Sequence, residues 1–366
     1  MNALIIMGAN FKVTPYYQIY VDALKMTNVT ISIAYWNRTK ETENIDPEMT
    51  VFPFCKQMDN SVSPLKKLPL FIQFRRFIKH VIKKKNYDLI IVLDTQFAVL
   101  IADILLKNKE KYIYDMRDLS YEKYKLYRCV MNHLEKKSAH TFLSSRGYEQ
   151  FFDDKSLFSI FHNYKKDDVN YNMQIQKEIP KGGQIINVGY WGCLRDVELY
   201  KEFVLRFKND NRFMFHFYGI KDSNMKQLEE FTVENNIKNV LFYGEYEECE
   251  RYRFAKQTDV ILNIYANSFN GTNPIMSNKY YDGVFFGIPQ ICTRNSYMGE
   301  IVDEKNLGIN YDSEEKIAEK LFHYITKLDR NEFICNCMRE RKKIIEEQEK
   351  SMQTLTDTIK IVKQKL

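Results

Sequence analysis

The chain has 366 residues, of which 45% are hydrophobic and 28% charged, and its net charge is +6. These values are typical of a globular protein long enough for two domains, and they exclude extensive disorder. No apolar run is long enough for a transmembrane helix. A charge this mild, without a zinc-finger or RNA-binding motif, predicts no nucleic-acid partner.

Short apolar runs, which predict strands, alternate along the chain with longer amphipathic patterns, which predict helices. The first series of strands covers 3–7, 29–35, 50–54, 89–93, 112–114, 140–143 and 157–161, and the second covers 185–188, 213–218, 240–242, 260–264, 290–292 and 308–310. The helical patterns include 66–85, 95–107, 122–137, 196–208, 223–235, 247–256, 277–286 and the tail from 313. Strands of this kind, alternating with helices, indicate parallel sheets covered on both faces. We therefore predict an α/β protein with two doubly wound, Rossmann-like domains.

The domain boundary is predicted where the chain becomes polar. Residues 165–183 are mostly polar and end in Pro180, Gly182 and Gly183, which is typical of a linker. We predict an N-terminal domain over 1–165, a linker over 166–183, a C-terminal domain over 184–345, and a C-terminal helix over 346–366 that packs back on the N-terminal domain.

The 13 glycines are distributed unevenly. The first 146 residues contain one, Gly8, whereas 182–308 contains eleven. Because glycine allows the backbone to approach a ligand closely, any phosphate binding by backbone amides is expected in the second half.

Several common chemistries lack their sequence motifs. The chain has no G-x-G-x-x-G, no P-loop, no G-x-S-x-G, no H-E-x-x-H and no D-x-D motif. We therefore predict neither a metal ion nor another cofactor. The seven cysteines form no C-x-x-C pair and the first residues lack a basic leader, which together favour a cytoplasmic protein with reduced thiols. The ligand site is expected at the carboxyl ends of the strands, in a cleft between the two domains.

The segment 267–289 is the richest in polar and small residues. A predicted helix begins near Ser277, with Asn278 and Lys279 in its first turn and Asp282 one turn further on. Free backbone N–H groups at a helix start, next to a lysine, favour anion binding. The alternative is an ordinary helix, with Ser277 as its N-cap and Gly287 as its C-terminal stop.

This segment, NKYYD at 278–282 followed by GIPQI at 287–291, resembles the signature of family 4 glycosyltransferases of the GT-B fold. Gly189, Gly192 and Arg195 are similar to the opening of the family's second domain. Segments 215–219, 240–246 and 255–264 resemble further blocks of the family in the correct order. In the first half, YDMRD at 114–118 resembles the corresponding block of exopolysaccharide glycosyltransferases.

The resemblance implies that the second domain binds a nucleotide-sugar donor. Arg195 and Lys279 would hold the diphosphate, with the backbone amides of Ser277 and Asn278, and no metal would be needed. Asp282 would bind ribose, and Tyr246, close after Gly244, would lie near the base; Gly189 belongs to the same donor site. The chain departs from the family at two positions. Asp282 is shorter than the usual glutamate, and Pro274 replaces the other glutamate, so a retaining mechanism that needs this glutamate is in doubt.

The first domain would then bind the acceptor. Gly8 and Lys12 lie in the loop after the first predicted strand, although a simple strand-ending turn explains Gly8 equally well. Asp115, Arg117 and Asp118 follow a predicted strand and are the catalytic candidates. Asp118 is the candidate general base if the enzyme inverts. The alternative is a structural ion pair between Arg117 and Asp118.

The basic segment 66–85 predicts an amphipathic helix. Phe71, Phe74, Ile78, Val81 and Ile82 form its apolar stripe, and the lysines and arginines lie off it. Such a helix either lies on an anionic membrane surface or covers the sheet with a solvated basic face.

The complete interpretation is a hexosyltransferase-type enzyme of capsular or exopolysaccharide biosynthesis. It would transfer a sugar from a nucleotide-sugar to a hydroxyl of a lipid-linked glycan, at the inner face of the plasma membrane. The alternatives are a nucleotide-sugar epimerase on the same fold and a catalytically inactive partner subunit.

Overall fold

The computed structural model describes residues 1–39, 43, 46–58, 64–153, 158–171, 180, 183–267, 271–313 and 316–366. The strands are β1 (Asn2–Met7), β2 (Thr30–Asn37), β3 (Thr50–Cys55), β4 (Leu89–Leu93), β5 (Tyr112–Met116), β6 (His140–Leu143), β7 (Phe158–Ile160), β8 (Ile186–Trp191), β9 (Phe213–Tyr218), β10 (Val240–Gly244), β11 (Val260–Asn263), β12 (Gln290–Thr293) and β13 (Gly308–Tyr311). Each of these overlaps one of the predicted strands.

The helices are α1 (Tyr17–Met26), α2 (Pro64–Lys84), α3 (Thr95–Leu100), α4 (Ala102–Lys107), α5 (Lys125–Lys137), α6 (Val197–Leu205), α7 (Ser223–Glu234), α8 (Arg251–Gln257), α9 (Asn278–Phe286), α10 (Tyr297–Glu304), α11 (Ile317–Lys327) and α12 (Arg330–Gln364). The single helix predicted over 95–107 is wrong, because Ile101 leaves helical geometry between α3 and α4. The Ile101 side chain is buried, and Arg75 donates a hydrogen bond to the freed carbonyl of Leu100.

The chain divides into two compact units. The N-terminal unit contains Met1–His162 and Glu346–Leu366, and the C-terminal unit contains Asn163–Ile345. Each has its own parallel sheet and its own apolar core. The predicted pair of doubly wound parallel sheets is therefore confirmed.

The N-terminal unit has a seven-stranded sheet in the order β3-β2-β1-β4-β5-β6-β7. All its strand pairs are parallel. The last part of α12 belongs to this unit, because Leu355, Ile359 and Val362 are buried in the same core as β1 and α1. The strand order reverses between β1 and β4. In open parallel sheets, ligands bind at the carboxyl edge beside such a reversal.

The C-terminal unit has a six-stranded sheet in the order β10-β9-β8-β11-β12-β13. Its strands are also all parallel. Here the order reverses between β8 and β11. The loops that follow these two strands are therefore the places where the sheet topology favours ligand binding.

Candidate functional site

The loops after β8 and β11 are joined by a side chain in the C-terminal unit. Asp196 accepts a 3.2 Å hydrogen bond from the backbone N–H of Ala266, which lies after β11. Gly192 directly follows β8 with a φ of +125°, a conformation that a residue with a side chain rarely adopts. A Cβ at this position would have no heavy atom within 4 Å, so the backbone here borders open space.

Helix α9 begins at the same edge of the sheet without a side-chain cap. Ser277 occupies the N-cap position, but its hydroxyl donates to Asn263 Oδ1 at 2.7 Å and makes no capping hydrogen bond. Asn278, the first helical residue, is exposed. The Ser277 hydroxyl consequently caps none of the N-terminal N–H groups of α9, although the Ser277 carbonyl accepts a 3.1 Å hydrogen bond from the Tyr280 N–H. The helix dipole adds a partial positive charge there. Gly287 ends the helix with a φ of +68°, as predicted.

Lys279 places a buried ammonium group beside this helix start. The residue is 6% exposed, and its Nζ donates to the Tyr265 hydroxyl at 2.9 Å and lies 4.5 Å from the centre of the Tyr190 ring. Among the described residues, no carboxylate forms an ion pair with it. Because a buried charge is costly unless it is compensated, this ammonium is a strong candidate to bind an anionic ligand.

Two other residues that the sequence predicted for the donor site lie in different surroundings. Arg195 is exposed on the loop between Gly192 and Asp196. Gly189 lies inside β8, where a Cβ would come within 2.4 Å of Thr258 Oγ1. Close packing against Thr258 therefore explains why this position is a glycine. Their roles in donor binding stay predictions.

Asp282 is held in a buried network. It is 5% exposed, and it accepts a 2.6 Å hydrogen bond from the Trp191 indole N–H and an ion-pair hydrogen bond from Arg251. Arg251 also contacts Asp168 at 3.2 Å, and Tyr252 donates to Asp168 at 2.9 Å. Burial raises the pKa of Asp282, and the Arg251 charge opposes that rise. Both carboxylate oxygens already have protein donors, and the ribose-binding role stays a prediction.

Gly244 ends β10, and Tyr246 follows two residues later. Gly244 has a φ of +84°, and Tyr246 packs edge-on against Phe254 with ring centres 5.2 Å apart. Phe254 stacks on Tyr218 at 3.8 Å. Burial, assisted by the charge of Asp282, raises the pKa of Tyr246 to about 12. The charge of Asp282 therefore acts on Tyr246, and base binding by Tyr246 stays a prediction.

Pro274, at the position of the family's first glutamate, is buried. The preceding Asn273 fixes this segment, since its side chain donates to the Ala266 carbonyl at 3.0 Å and accepts from the Ile275 N–H at 3.0 Å. Proline supplies neither a charge nor a proton at this position.

In the N-terminal unit, Asp115 and Arg117 form a buried ion pair. Arg117 Nε lies 2.8 Å from Asp115, and the Tyr20 hydroxyl donates to the same carboxylate oxygen at 2.6 Å. Arg117 also lies over the Tyr16 ring, 4.5 Å from its centre. Burial raises the pKa of Asp115, against the opposing charge of Arg117. The alternative drawn from the sequence named Asp118 as the ion-pair partner of Arg117. The structure pairs Arg117 with Asp115, and Asp118 is exposed on the following turn.

Gly8 and Lys12, the predicted acceptor-loop residues, follow β1. A Cβ on Gly8 would lie 1.6 Å from Phe97 Cε2, so the group closest to this backbone is the Phe97 ring of α3. Lys12 is exposed in a short 3-10 turn, Phe11–Val13. Acceptor binding by this loop stays a prediction.

Asp94 is a candidate that the sequence reasoning missed. It directly follows β4, with φ +91° and ψ 136°, a conformation that costs a non-glycine residue about 1–3 kcal/mol. Burial, and then the charge of Asp118, raise its pKa to about 7, although the N–H of Thr95 acts in the opposite direction. The sequence offers one signal for Asp94, which is its position. It is an acidic residue directly after the apolar run Leu89–Leu93, at the N-cap of the helix that follows.

Helix α2 covers the sheet of the N-terminal unit with its predicted apolar stripe. Phe74, Ile78 and Val81 are buried, and Phe74 stacks on Trp36 of β2 at 5.2 Å. Arg75 pairs with Asp103 at 2.7 Å. Leu68 and Ile72 are exposed on the same helix as the exposed Lys83 and Lys84.

Two further features are absent from the part of the chain that the structure describes. No group of three or more His, Cys, Asp or Glu side chains in this part of the chain could hold a metal ion. No described helix combines the length and apolarity needed to cross a bilayer.

No protein-family model matches the chain, and no curated protein matches its sequence. Solved structures match it over nearly its whole length. Sucrose-phosphate synthase from Thermosynechococcus elongatus superposes with a TM-score of 0.73 and 11% identity, over 100% of both chains. A glycosyltransferase from Rickettsia africae gives 0.65 and 13%, over 99% of this chain and 98% of its own.

HepE from Anabaena, in complex with UDP and glucose, gives a TM-score of 0.63 and 12% identity, over 97% of this chain and 99% of its own. Identities in this range establish the fold alone, because one fold supports many functions. The predicted fold class is confirmed: the chain has the GT-B fold, with two Rossmann-like domains built on parallel sheets.

Proposed function

We propose that this protein is a metal-independent hexosyltransferase, which transfers a sugar from a nucleotide-sugar to a hydroxyl of a glycan acceptor. The acceptor is a lipid-linked glycan of capsular or exopolysaccharide biosynthesis. Similar folds bind UDP with glucose in HepE, and UDP-glucose itself, which supports a nucleotide-sugar as the donor.

The observation that carries the proposal is the buried ammonium of Lys279. It lies in the first turn of α9, whose N-terminus has no side-chain cap. No described carboxylate forms an ion pair with it, although its charge acts on the buried Asp282. A diphosphate supplies the missing negative charge. As the glycosidic bond breaks, charge accumulates on the leaving diphosphate, and fixed cations and N–H groups stabilise that charge.

The remaining donor contacts follow the sheet topology of the C-terminal unit. Arg195, on the loop after β8, is the second diphosphate ligand, together with the backbone N–H groups of Ser277 and Asn278. Asp282 and Tyr246 bind the nucleoside. The charge of Asp282 acts on Tyr246, which supports this arrangement.

In the N-terminal unit we assign the acceptor to the carboxyl edge of the sheet. Gly8 and Lys12 border it after β1; Asp115 lies near the end of β5, and Arg117 and Asp118 follow that strand. We assign the protein to the cytoplasmic face of the plasma membrane, through the exposed Leu68 and Ile72 and the basic end of α2.

Pro274 favours one other function, a catalytically inactive partner subunit. This proline replaces a side chain that could carry charge, and it is buried in a segment fixed by Asn273. An inactive subunit binds a nucleotide-sugar without consuming it. Turnover therefore separates the two functions. The epimerase alternative has no comparable support, because no histidine lies among the donor-site residues described above.

The first test is calorimetric binding of UDP-glucose, GDP-mannose, ADP-glucose and their free nucleotides. The second measures turnover, as the free nucleotide released from each nucleotide-sugar over hours. Lys279→Met keeps the length of the side chain but removes its charge, and about a tenfold to hundredfold loss of affinity is expected. Lys238→Met is the matched control, because Lys238 is exposed before β10 at the opposite edge of the sheet. Equal affinity of wild type and Lys279→Met would overturn the site assignment.

A further inference from the structure

Tyr265 is the hydrogen-bond partner of Lys279 in the C-terminal unit. It lies two residues after β11, at the point where the strand order reverses between β8 and β11. Its hydroxyl accepts the 2.9 Å hydrogen bond from Lys279 Nζ, and its ring centre lies 5.1 Å from the same ammonium. The ring centre of Tyr190, in β8, lies 4.5 Å from that ammonium. Two tyrosines therefore hold the lysine, one from each side of the reversal.

The hydrogen-bonding groups of Tyr265 and Lys279 are only partly used. A lysine ammonium has three N–H donors, and a tyrosine hydroxyl can accept one hydrogen bond while it donates another. In the described part of the chain, Lys279 Nζ donates to Tyr265 alone, and the Tyr265 hydroxyl donates to no group. Tyr265 keeps some exposed surface, so a ligand can reach it. One phenolic O–H and two ammonium N–H groups therefore remain for that ligand.

The backbone of Tyr265 is fixed by Thr293, the last residue of β12. The Thr293 hydroxyl accepts a 2.9 Å hydrogen bond from the Tyr265 N–H and donates a 2.8 Å hydrogen bond to the Tyr265 carbonyl. One side chain thus satisfies both backbone groups of a residue that lies outside the sheet. Donors stabilise a developing charge best when they are already held in position, and the Tyr265 phenol extends from such a fixed backbone.

A phenol beside Lys279 has a different effect from a carboxylate. An aspartate at position 265 would neutralise the ammonium, whereas the Tyr265 hydroxyl satisfies one of its N–H groups and leaves the positive charge intact. The two aromatic rings add a favourable cation–π interaction without cancelling that charge. A hydroxyl that accepts a hydrogen bond from a cation is polarised and becomes a stronger donor. These groups therefore favour an anion with several oxygens.

We propose that Tyr265 binds the donor diphosphate together with Lys279: its hydroxyl anchors the ammonium and donates its own hydrogen bond to a phosphate oxygen. The inference rests on the proposed nucleotide-sugar function and adds a residue outside the sequence motif. All of its groups belong to the C-terminal unit. Because negative charge grows on the diphosphate as the glycosidic bond breaks, both side chains act more strongly on the departing diphosphate than on the intact donor.

The experiment compares Tyr265→Phe with wild type in calorimetric titrations of UDP, GDP and ADP. Phenylalanine keeps the ring beside Lys279 and removes the hydroxyl. Affinity for the nucleoside diphosphate that wild type binds most tightly should fall about tenfold to hundredfold, the loss usual for a hydrogen bond to a charged group. In the Lys279→Met background the same substitution should cost much less, because the two residues act as a unit.

Tyr311→Phe is the matched control. Tyr311 ends β13 in the same unit, and its hydroxyl also donates to a charged group, Glu202, at 3.3 Å, but β13 is the edge strand of the sheet. This variant should bind the nucleoside diphosphate like wild type. With a nucleotide-sugar as substrate, Tyr265→Phe should lower kcat more than it raises KM, because the lost hydrogen bond is strongest in the transition state.

A purely structural Tyr265 predicts a different result. Removal of the hydroxyl would then only leave the buried ammonium without its acceptor. Tyr265→Phe would unfold at a lower temperature and would bind the nucleoside diphosphate as tightly as wild type, or more tightly. That result overturns the inference and leaves the proposed function standing, as does an equal loss of affinity with and without Lys279. A wild type that binds none of the three nucleoside diphosphates overturns both.

Discussion

The indole N–H of Trp191 donates a 2.6 Å hydrogen bond to the buried carboxylate of Asp282. Trp191 ends β8 and Asp282 lies in α9, so this bond connects the two elements that flank the proposed donor site. Arg251 completes the network by contacting both Asp282 and Asp168. The same carboxylate thus stabilises the fold of the C-terminal unit and borders the proposed nucleoside site.

Removing the Arg251 charge should destabilise the C-terminal unit. Arg251→Met leaves the Asp282 and Asp168 carboxylates buried without their cation, which typically costs about 3–5 kcal/mol. Urea unfolding monitored by tryptophan fluorescence measures the loss. Arg253→Met, an exposed arginine two residues along the same helix, should change stability by less than about 0.5 kcal/mol. Equal urea midpoints for Arg251→Met and Arg253→Met would show that the buried network contributes nothing to the stability of the C-terminal unit.

The sequence predicted much of this molecule but not the buried networks. All 13 strands were identified, because each is a short, largely apolar run, and a strand buried in a parallel sheet has this pattern. Lys279 was identified from its position after a strand and near a helix start. The pairing of Asp282 with Trp191, 91 residues away, has no local signature. The positive φ of Asp94 escaped prediction for a related reason, since tertiary contacts impose a backbone conformation that local sequence disfavours for aspartate.

Glu347 should make the stability of the N-terminal unit depend on pH. Burial acts to raise its pKa, but the hydrogen bond from His162 and the charge of Arg146 overcome that effect and lower the pKa to about 2. A carboxylate with a lowered folded pKa stabilises the fold above its unfolded pKa of about 4.3. That stabilisation, roughly 3 kcal/mol, is lost as the pH falls from about 4.3 towards 2.

Glu347→Gln should therefore be less stable than wild type at pH 7, and the two proteins should approach each other in stability as the pH falls below about 4. Thermal unfolding at a series of pH values measures this. Glu349→Gln, an exposed change on the same helix, should follow the wild-type curve. A stability difference between Glu347→Gln and wild type that does not vary between pH 7 and 3 would contradict the assigned pKa.

Gly8 should not tolerate a side chain, because of Phe97. A Cβ at Gly8 would lie 1.6 Å from Phe97 Cε2, and Phe97 is 2% exposed, so its ring has little space to move. Gly8→Ala should cost about 1–3 kcal/mol, as overpacking in a core usually does. In the double variant Gly8→Ala with Phe97→Leu, the alanine should cost less than it does alone. If the two free-energy changes simply add, the Phe97 ring is not the reason for a glycine at position 8. Close approach of a ligand to the backbone would then explain it better.

The basic end of α2 should bind anionic membranes if the protein works on a lipid-linked acceptor. Each lysine near an anionic surface contributes about 1 kcal/mol, so neutralising Lys83, Lys84 and Lys85 with glutamine should weaken binding to phosphatidylserine-containing vesicles about 100-fold. Sedimentation with vesicles measures the bound fraction. Neutralising Lys107, Lys109 and Lys111, three exposed lysines elsewhere in the same unit, provides a control with the same change in net charge. Replacing Leu68 and Ile72 with serine tests the apolar contribution separately. Equal losses in the two lysine variants would indicate a general effect of charge, and α2 would then serve only to cover the sheet.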